Sequence, residues 1–203
     1  MKLYYSPGAC SLSPHIVLQE TGLPCETILV STRSHKLQDG TDFYTINPLG
    51  YVPVLALDDG QLLREGPVIV QYLADQAGNT ALLPAVGSMA RYRVLEWLNF
   101  IGTELHKGFG PLFSPSTPAD YRPTLLAQLR QRFEWVNQEL AGQNFLTGES
   151  FTVADAYLFT ISNWADHVGL SYDGLQHLLA YRQRVGSRPT VQAALRAEGL
   201  LKD

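Results

Sequence analysis

Two cysteines in 203 residues, Cys10 and Cys25, cannot build a disulfide framework, and neither sits in a Cys/His cluster with metal-ligand spacing. Such sparing use of cysteine fits a reducing, cytoplasmic compartment, and no metal is expected. Long apolar runs are missing as well. Lys2 is followed by only three apolar residues before Ser6-Pro7, too few for a signal segment, and no later run could span a bilayer. No basic stripe exists to follow a phosphate backbone, so nucleic acid is not an expected partner. Repeats and low-complexity tracts are absent too. With 45% hydrophobic and 17% charged residues, the chain has the composition of a soluble globular protein long enough for one large domain or two modest ones.

The charge that is present is unevenly placed. Residues 1–80 hold Lys2, Arg33, Lys36 and Arg64 against eight acids, which accounts for the whole formal net charge of −4; the remainder balances.

Cys10 has the most informative setting. Leu3 to Tyr5 reads as a strand that Pro7-Gly8 breaks, and from Ser11 helix-start signals follow: Ser11 and Ser13 as caps, Pro14 where a first turn tolerates it. A thiol between a strand end and a helix start faces unpaired amides and the positive end of the helix dipole. Both favour thiolate. Most free cysteines are small core residues, but this position is the one a reactive thiol needs.

Strand and helix patterns alternate through the first eighty residues. A helix over 11–22 closes at Thr21-Gly22 with Pro24 beyond, and Glu26 to Val30 forms a second strand. Residues 31–46 are ambiguous, with a helix or irregular segment around Leu37 to Tyr44. Val52–Leu57 and Gln61–Leu63 flank Asp58-Asp59-Gly60 as a hairpin, and a helix starts at Gly66-Pro67. Beyond Leu83-Pro84 only helical patterns remain: Ser88 to about Gly108, Ala119 to about Ala141, 152–168, 173–186 and 188–198. The expected organisation is an α/β domain over 1–80, a linker over 81–87 and an all-helical domain over 88–203. Phe151-Thr-Val-Ala-Asp155 spells a capping box with Thr152 and Asp155, so Asp155 reads as structural. Cys25 reads as a buried filler.

Tyr4-Tyr5-Ser-Pro-Gly-Ala-Cys10-Ser-Leu-Ser-Pro-His15, Asn47-Pro48-Leu-Gly-Tyr-Val52-Pro53-Val54 and Glu65-Gly66 opening a helix that ends in Gln71-Tyr-Leu-Ala-Asp75 together resemble the thioredoxin-like half of the cytosolic glutathione transferases. Glu96-Trp-Leu-Asn99-Phe, Glu104-Leu-His106-Lys107-Gly108 and Phe151-Thr-Val-Ala-Asp155 resemble their helical half, and a cysteine at the first turn points to the bacterial beta class.

The resemblance implies a βαβ-α-ββα thioredoxin-like domain, an all-α domain, a homodimer and glutathione as co-substrate. It implies a cis proline at Pro53, so that Val52 offers its backbone to the cysteinyl residue of glutathione as an added strand would. Glu65 and Gly66, at a helix start, would take the γ-glutamyl end. Gly66 lacks the hydroxyl many relatives have, and Pro67 lacks an N–H. Position 35 is generally lysine in the class and holds the glycyl carboxylate; here it is His35, beside Lys36. Tyr51 stands where relatives often have glutamine. Asn99, Thr103 and His106 fall on nearly one face of an α-helix, and the resemblance places them at the glutathione site with Glu104 and Lys107, Asn99 and Glu104 reaching from a second subunit.

The expected reaction is attack of the glutathione thiolate on a hydrophobic electrophile, with donors at Cys10, Ser11, Tyr5 and His106. A thiol is a weak donor, which leaves glutaredoxin-like disulfide exchange or peroxide reduction through Cys10 as an alternative. A non-catalytic carrier of hydrophobic ligands, using Trp97, Phe109, Phe113, Trp164 and Tyr157, is the third reading.

Overall fold

The computed structural model describes residues 1–201, which divide into two compact units: Met1–Thr80 together with the segment from Arg188, and Ala81–Ser187. The first is built on a five-stranded sheet in the order β3-β2-β1-β4-β5. β1 (Lys2–Tyr5) pairs in parallel with β2 (Glu26–Ser31) and antiparallel with β4 (Val54–Ala56), which turns into β5 (Leu62–Arg64). A two-residue strand, β3 (Lys36–Leu37), folds back on β2. This strand, and the 3-10 turn Phe43–Thr45, occupy the segment where the sequence was ambiguous.

Two helices complete the βαβ and ββα units. α1 (Leu12–Thr21) ends in Gly22 with φ 66°, whose N–H returns to the Leu18 carbonyl at 2.9 Å. α2 (Gly66–Gln76) packs on α1 and presents Ile69, Val70 and Leu73, all fully buried. Strand alternation sends Leu3 one way and Tyr4 the other. Tyr4 meets the Phe43 ring at 5.7 Å and joins a cluster of Val30, Phe43, Val52 and Val54. That cluster anchors the segment carrying Val52.

The sequence assigned 188–203 to the helical domain, and the structure corrects this. α9 (Pro189–Ala197) packs against α1 and belongs to the sheet-containing unit. Arg188 holds the Glu20 carboxylate with two bonds of 2.9 Å, and Glu198 is buried against His15. Partners 168 and 183 residues away decide where this helix goes, not its own periodicity.

The second unit contains α3 (Met89–Phe100), a π-helical stretch Ile101–His106, α4 (Lys107–Phe113), α5 (Arg122–Glu139), α6 (Val153–Ser162), α7 (Ala165–Val168) and α8 (Gln176–Gly186). Every residue of α6 is buried, with α3, α8 and the π-helical stretch packed on it. Residues 81–87 do not behave as a free linker. Leu82 and Leu83 are buried, and the Leu82 carbonyl accepts from the Val153 N–H at 3.0 Å. The capping box is present: the Asp155 carboxylate takes the Thr152 N–H at 2.8 Å.

Candidate active site

Pro7-Gly8 turns the chain after β1 so that Cys10 precedes the first turn of α1. The Ala9 and Cys10 carbonyls already accept from Leu12 and Ser13, at 3.0 and 3.3 Å. Ser11 does not cap with its side chain. Its backbone is helical (φ −65°, ψ −14°), which points the hydroxyl away from the first amides. The buried hydroxyl instead accepts from the Ser6 N–H at 3.1 Å and donates to the Ser6 carbonyl at 3.2 Å, stitching the turn closed. Ser13 lies inside the helix, buried, and its hydroxyl makes no hydrogen bond among the described residues.

The Cys10 thiol is half-buried and donates to the Val52 carbonyl at 3.2 Å, a bond only the protonated sulfur can make. The Val52–Pro53 peptide is cis. Among the described residues the Val52 N–H makes no hydrogen bond, and its carbonyl keeps a second lone pair. Cys10 and this open backbone edge therefore form one site. β4 pairs Val54 with Arg64, and continuing that register sets Pro53 and Val52 beside Glu65 and Gly66. A Cβ on Gly66 would meet Pro53 Cγ at 3.7 Å.

Glu65 adopts φ 68° and ψ 111°, a region non-glycine residues avoid at a cost of about 1–3 kcal/mol. Its carbonyl holds the geometry by accepting from Val68 and Ile69 at 2.9 and 3.0 Å. The exposed carboxylate, on the residue just before Gly66, makes no cap bond at the start of α2. A cationic amine and a carboxylate on one ligand fit this corner.

His35 also has positive φ, 53°. Its Nδ1 lies 3.1 Å from the Gly50 carbonyl, and its ring packs on Tyr44 at 4.7 Å. Tyr51 is 66% exposed, so its side chain is held by little. Its backbone is fixed: Asn47 Nδ2 donates to the Tyr51 carbonyl at 2.8 Å, and Arg64 Nε donates to Asn47 Oδ1 at 3.1 Å. Buried Asn47 thus ties the turn before Val52 to β5. In the sequence Asn47 stands only within the motif that carries the resemblance, with no role assigned to it. Tyr5 packs edge-on against His15 at 5.6 Å, and burial, with the nearby Glu198 charge, raises its phenol pKa.

Asn99, Thr103, Glu104, His106 and Lys107 lie in the helical unit. The α-helical spacing that predicts a shared face for Asn99, Thr103 and His106 does not apply, because Ile101–His106 winds as a π-helix with more residues per turn. Asn99 is exposed, and Thr103 bonds back to its carbonyl at 3.1 Å. Glu104 pairs with Arg132 of α5 at 2.9 Å. His106 Nδ1 is 2.6 Å from the Tyr157 hydroxyl, and its ring meets Trp164 at 4.9 Å. Burial, reinforced by the Lys107 charge, lowers its pKa to about 4, so the ring is neutral near pH 7. Phe109 and Phe113 extend this aromatic cluster onto Trp164, with Phe113 half-exposed.

Cys25 is half-buried, not enclosed as expected, in the loop just before β2. Its thiol donates to the Glu26 carbonyl at 3.6 Å, and burial raises its pKa. Among the described residues no group of three His, Cys, Asp or Glu side chains could hold a metal, and no helix is long and apolar enough to cross a membrane.

A thioredoxin-like sheet with a thiol before its first helix, a cis proline ahead of β4 and a separate helical unit defines a two-domain thiol-handling class. Comparison with known proteins agrees. The family profile described as "Glutathione S-transferase, N-terminal domain" matches residues 8–76, and its C-terminal counterpart matches 100–189. The chain is 51% identical to glutathione S-transferase GstA of Escherichia coli O157:H7, over 98% of this chain and all of that one. It superposes on the bacterial transferase BphK, in a ternary complex, with TM-score 0.95 and 49% identity over 98% and 100% of the two chains. The beta-class enzyme of Sphingomonas chungbukensis gives 0.95 and 43% identity over 99% and 100%. The chain belongs to the glutathione S-transferase family, among structures of the beta class.

Proposed function

We propose that this transferase binds glutathione along the Val52 edge and directs its sulfur to Cys10. The observation that carries this reading is the Cys10 thiol lying 3.2 Å from the carbonyl of a residue whose N–H is unpaired. A cysteinyl residue laid along that edge exchanges two backbone bonds with Val52, as an added strand does. The γ-glutamyl carboxylate goes to the Gly66 amide at the α2 N-terminus, and its ammonium to Glu65.

Catalysis then follows from the position of the sulfur. Once the cysteinyl N–H of glutathione takes the Val52 carbonyl, the Cys10 S–H that donates there is released to the glutathione sulfur, and with the amides at the α1 start it stabilises the thiolate and lowers the pKa of the glutathione thiol. The thiolate forms a new S–C bond to an electrophilic carbon while the leaving group departs with its electron pair. The electrophile is an apolar compound, and the Trp164–Phe113 surface of the helical unit suits one. A homodimer is supported by Met89 and Tyr92 on α3, three residues apart and 69% and 57% exposed. The reducing, cytoplasmic setting rests on the sparing use of cysteine.

Disulfide exchange is a second reading, favoured by the partial exposure of the Cys10 sulfur. Ser13 stands where a resolving cysteine would, so a second glutathione must release the first.

Glutathione-dependent turnover of 1-chloro-2,4-dinitrobenzene, followed by thioether absorbance, tests the transferase reading. Saturable turnover that persists at reduced rate in Cys10→Ala supports it. Dye binding without any turnover supports the carrier reading instead.

A further inference from the structure

We propose that Arg122 is a positioning residue of the electrophile site: its fork ties together the two elements that carry Phe113 and Trp164, and so sets how a planar aromatic electrophile is gripped. The inference rests on the transferase reading above. It adds to it a residue that acts through these two rings and not on a reacting atom.

The rings belong to separate elements. Phe113 is the last residue of α4, and Trp164 directly precedes α7. They meet edge-on at 5.5 Å and 83°. Both also lie against Phe109, at 6.3 and 5.7 Å. Phe109 is fully buried, whereas Phe113 is half-exposed and Trp164 partly exposed. The pair thus turns an aromatic surface outward with a buried ring behind it, and a planar apolar carbon framework packs on such a surface.

The ends of both elements converge on one guanidinium. A helix leaves its last carbonyls without intrahelical donors. In α4 the Leu112 carbonyl is one of these, and in α7 the Val168 carbonyl is another. Arg122, at the start of α5, donates from Nη1 to the first at 2.9 Å and from Nη2 to the second at 3.0 Å. Its planar fork presents both donors in one fixed geometry, which a lysine ammonium on a flexible stem does not. Leu112 adjoins Phe113, and Val168 ends the single turn that begins after Trp164. Each bond therefore holds the turn that carries one of the rings. With α7 only four residues long, and Pro111 removing an amide from α4, both elements gain from a donor outside themselves.

Arg130, roughly two turns further along α5, supplies a contrast. Its fork takes the Ser171 and Asp173 carbonyls at 2.7 and 2.8 Å, and its Nε donates to Glu134 at 2.9 Å. It fastens the segment beyond α7, but neither carbonyl lies on the elements that carry the rings. Losing either fork costs stability. Losing Arg122 alone lets Phe113 and Trp164 move apart.

Steady-state kinetics with 1-chloro-2,4-dinitrobenzene separate the two roles. Arg122→Met keeps the apolar stem and removes the fork. The expected result is a KM for the electrophile raised about tenfold, with kcat and the KM for glutathione little changed. Arg122→Lys, which restores the charge, should recover part of that loss. Arg130→Met should leave the electrophile KM unaltered. An unchanged electrophile KM in Arg122→Met, or an equal rise in Arg130→Met, overturns the positioning role. So does a fall in kcat with both KM values intact, which is what a smaller folded fraction gives. If neither Arg122 variant folds, a structure of the unaltered protein with S-(2,4-dinitrophenyl)glutathione decides. The dinitrophenyl ring against Phe113 and Trp164, with both Arg122 bonds kept, supports the role; a ring seated elsewhere, or a broken fork, overturns it. No glutathione-dependent turnover by the unaltered protein would instead remove the transferase reading on which the inference rests.

Discussion

The Glu198 carboxylate takes His15 Nδ1 at 2.9 Å, and its other oxygen takes the Gly8 N–H at 2.9 Å, with both side chains almost wholly buried. One acid in the last helical segment thus fixes both the turn before Cys10 and the helix after it. Leu200 lies against the same turn, 3.7 Å from where a Gly8 Cβ would be. Removing the acid takes the acceptor from two buried donors, at about 2–5 kcal/mol in all. Glu198→Ala should therefore lower unfolding free energy by roughly that amount in a denaturant titration. It should also speed alkylation of Cys10 by iodoacetamide, because the turn loses its tether. An unchanged midpoint and alkylation rate would show that the clamp does not order this turn.

Asp155 accepts from the Leu146 N–H at 2.9 Å, the Thr152 N–H at 2.8 Å, the Thr152 hydroxyl at 2.9 Å and the Tyr181 hydroxyl at 3.1 Å, with no exposed surface of its own. Asp155→Ala leaves several buried donors unsatisfied and should cost about 2–5 kcal/mol. Thr152→Ala removes one capping hydroxyl and should cost about 1 kcal/mol. Equilibrium unfolding measures both, and equal costs would contradict the assignment of Asp155 as the hub.

His106 and Asp155 make opposite contributions to stability in acid. Folded His106 stays neutral down to about pH 4, whereas unfolded it takes a proton near 6.5, so its contribution is lost as pH falls from 6.5 toward 4. Burial raises the Asp155 pKa to about 6, against the pull of its hydrogen bonds, so that group gains stability as pH falls from about 6 toward 3.8. His106→Gln should therefore reduce the stability lost between about pH 6.5 and 5, relative to the unaltered protein. Unfolding titrations at those two values check it; an unchanged loss would place the acid sensitivity elsewhere.

Local signals in the sequence carried much of this fold. Pro7-Gly8 and Asp58-Asp59-Gly60 marked turns, Gly22 closed α1, and the Thr152–Asp155 spacing located the start of α6. What stayed hidden depends on partners distant in the chain. Nothing in Ile101–His106, Gly102 included, distinguishes a π-helical stretch from α-helix, so the sequence spacing does not report which face Asn99 and His106 take. His35 showed as a substituted lysine, but not as a ring pinned to Gly50, fifteen residues on. His15 gave no sign that a carboxylate 183 residues later would meet it.

A crystal structure of the protein with reduced glutathione is the most direct measurement of the central claim. The cysteinyl N–H and C=O of the tripeptide should bond the Val52 carbonyl and N–H, with its sulfur beside Cys10 Sγ and its γ-glutamyl end at Gly66. Glutathione seated away from Val52, or a Val52 edge left bare at saturating ligand, would contradict it.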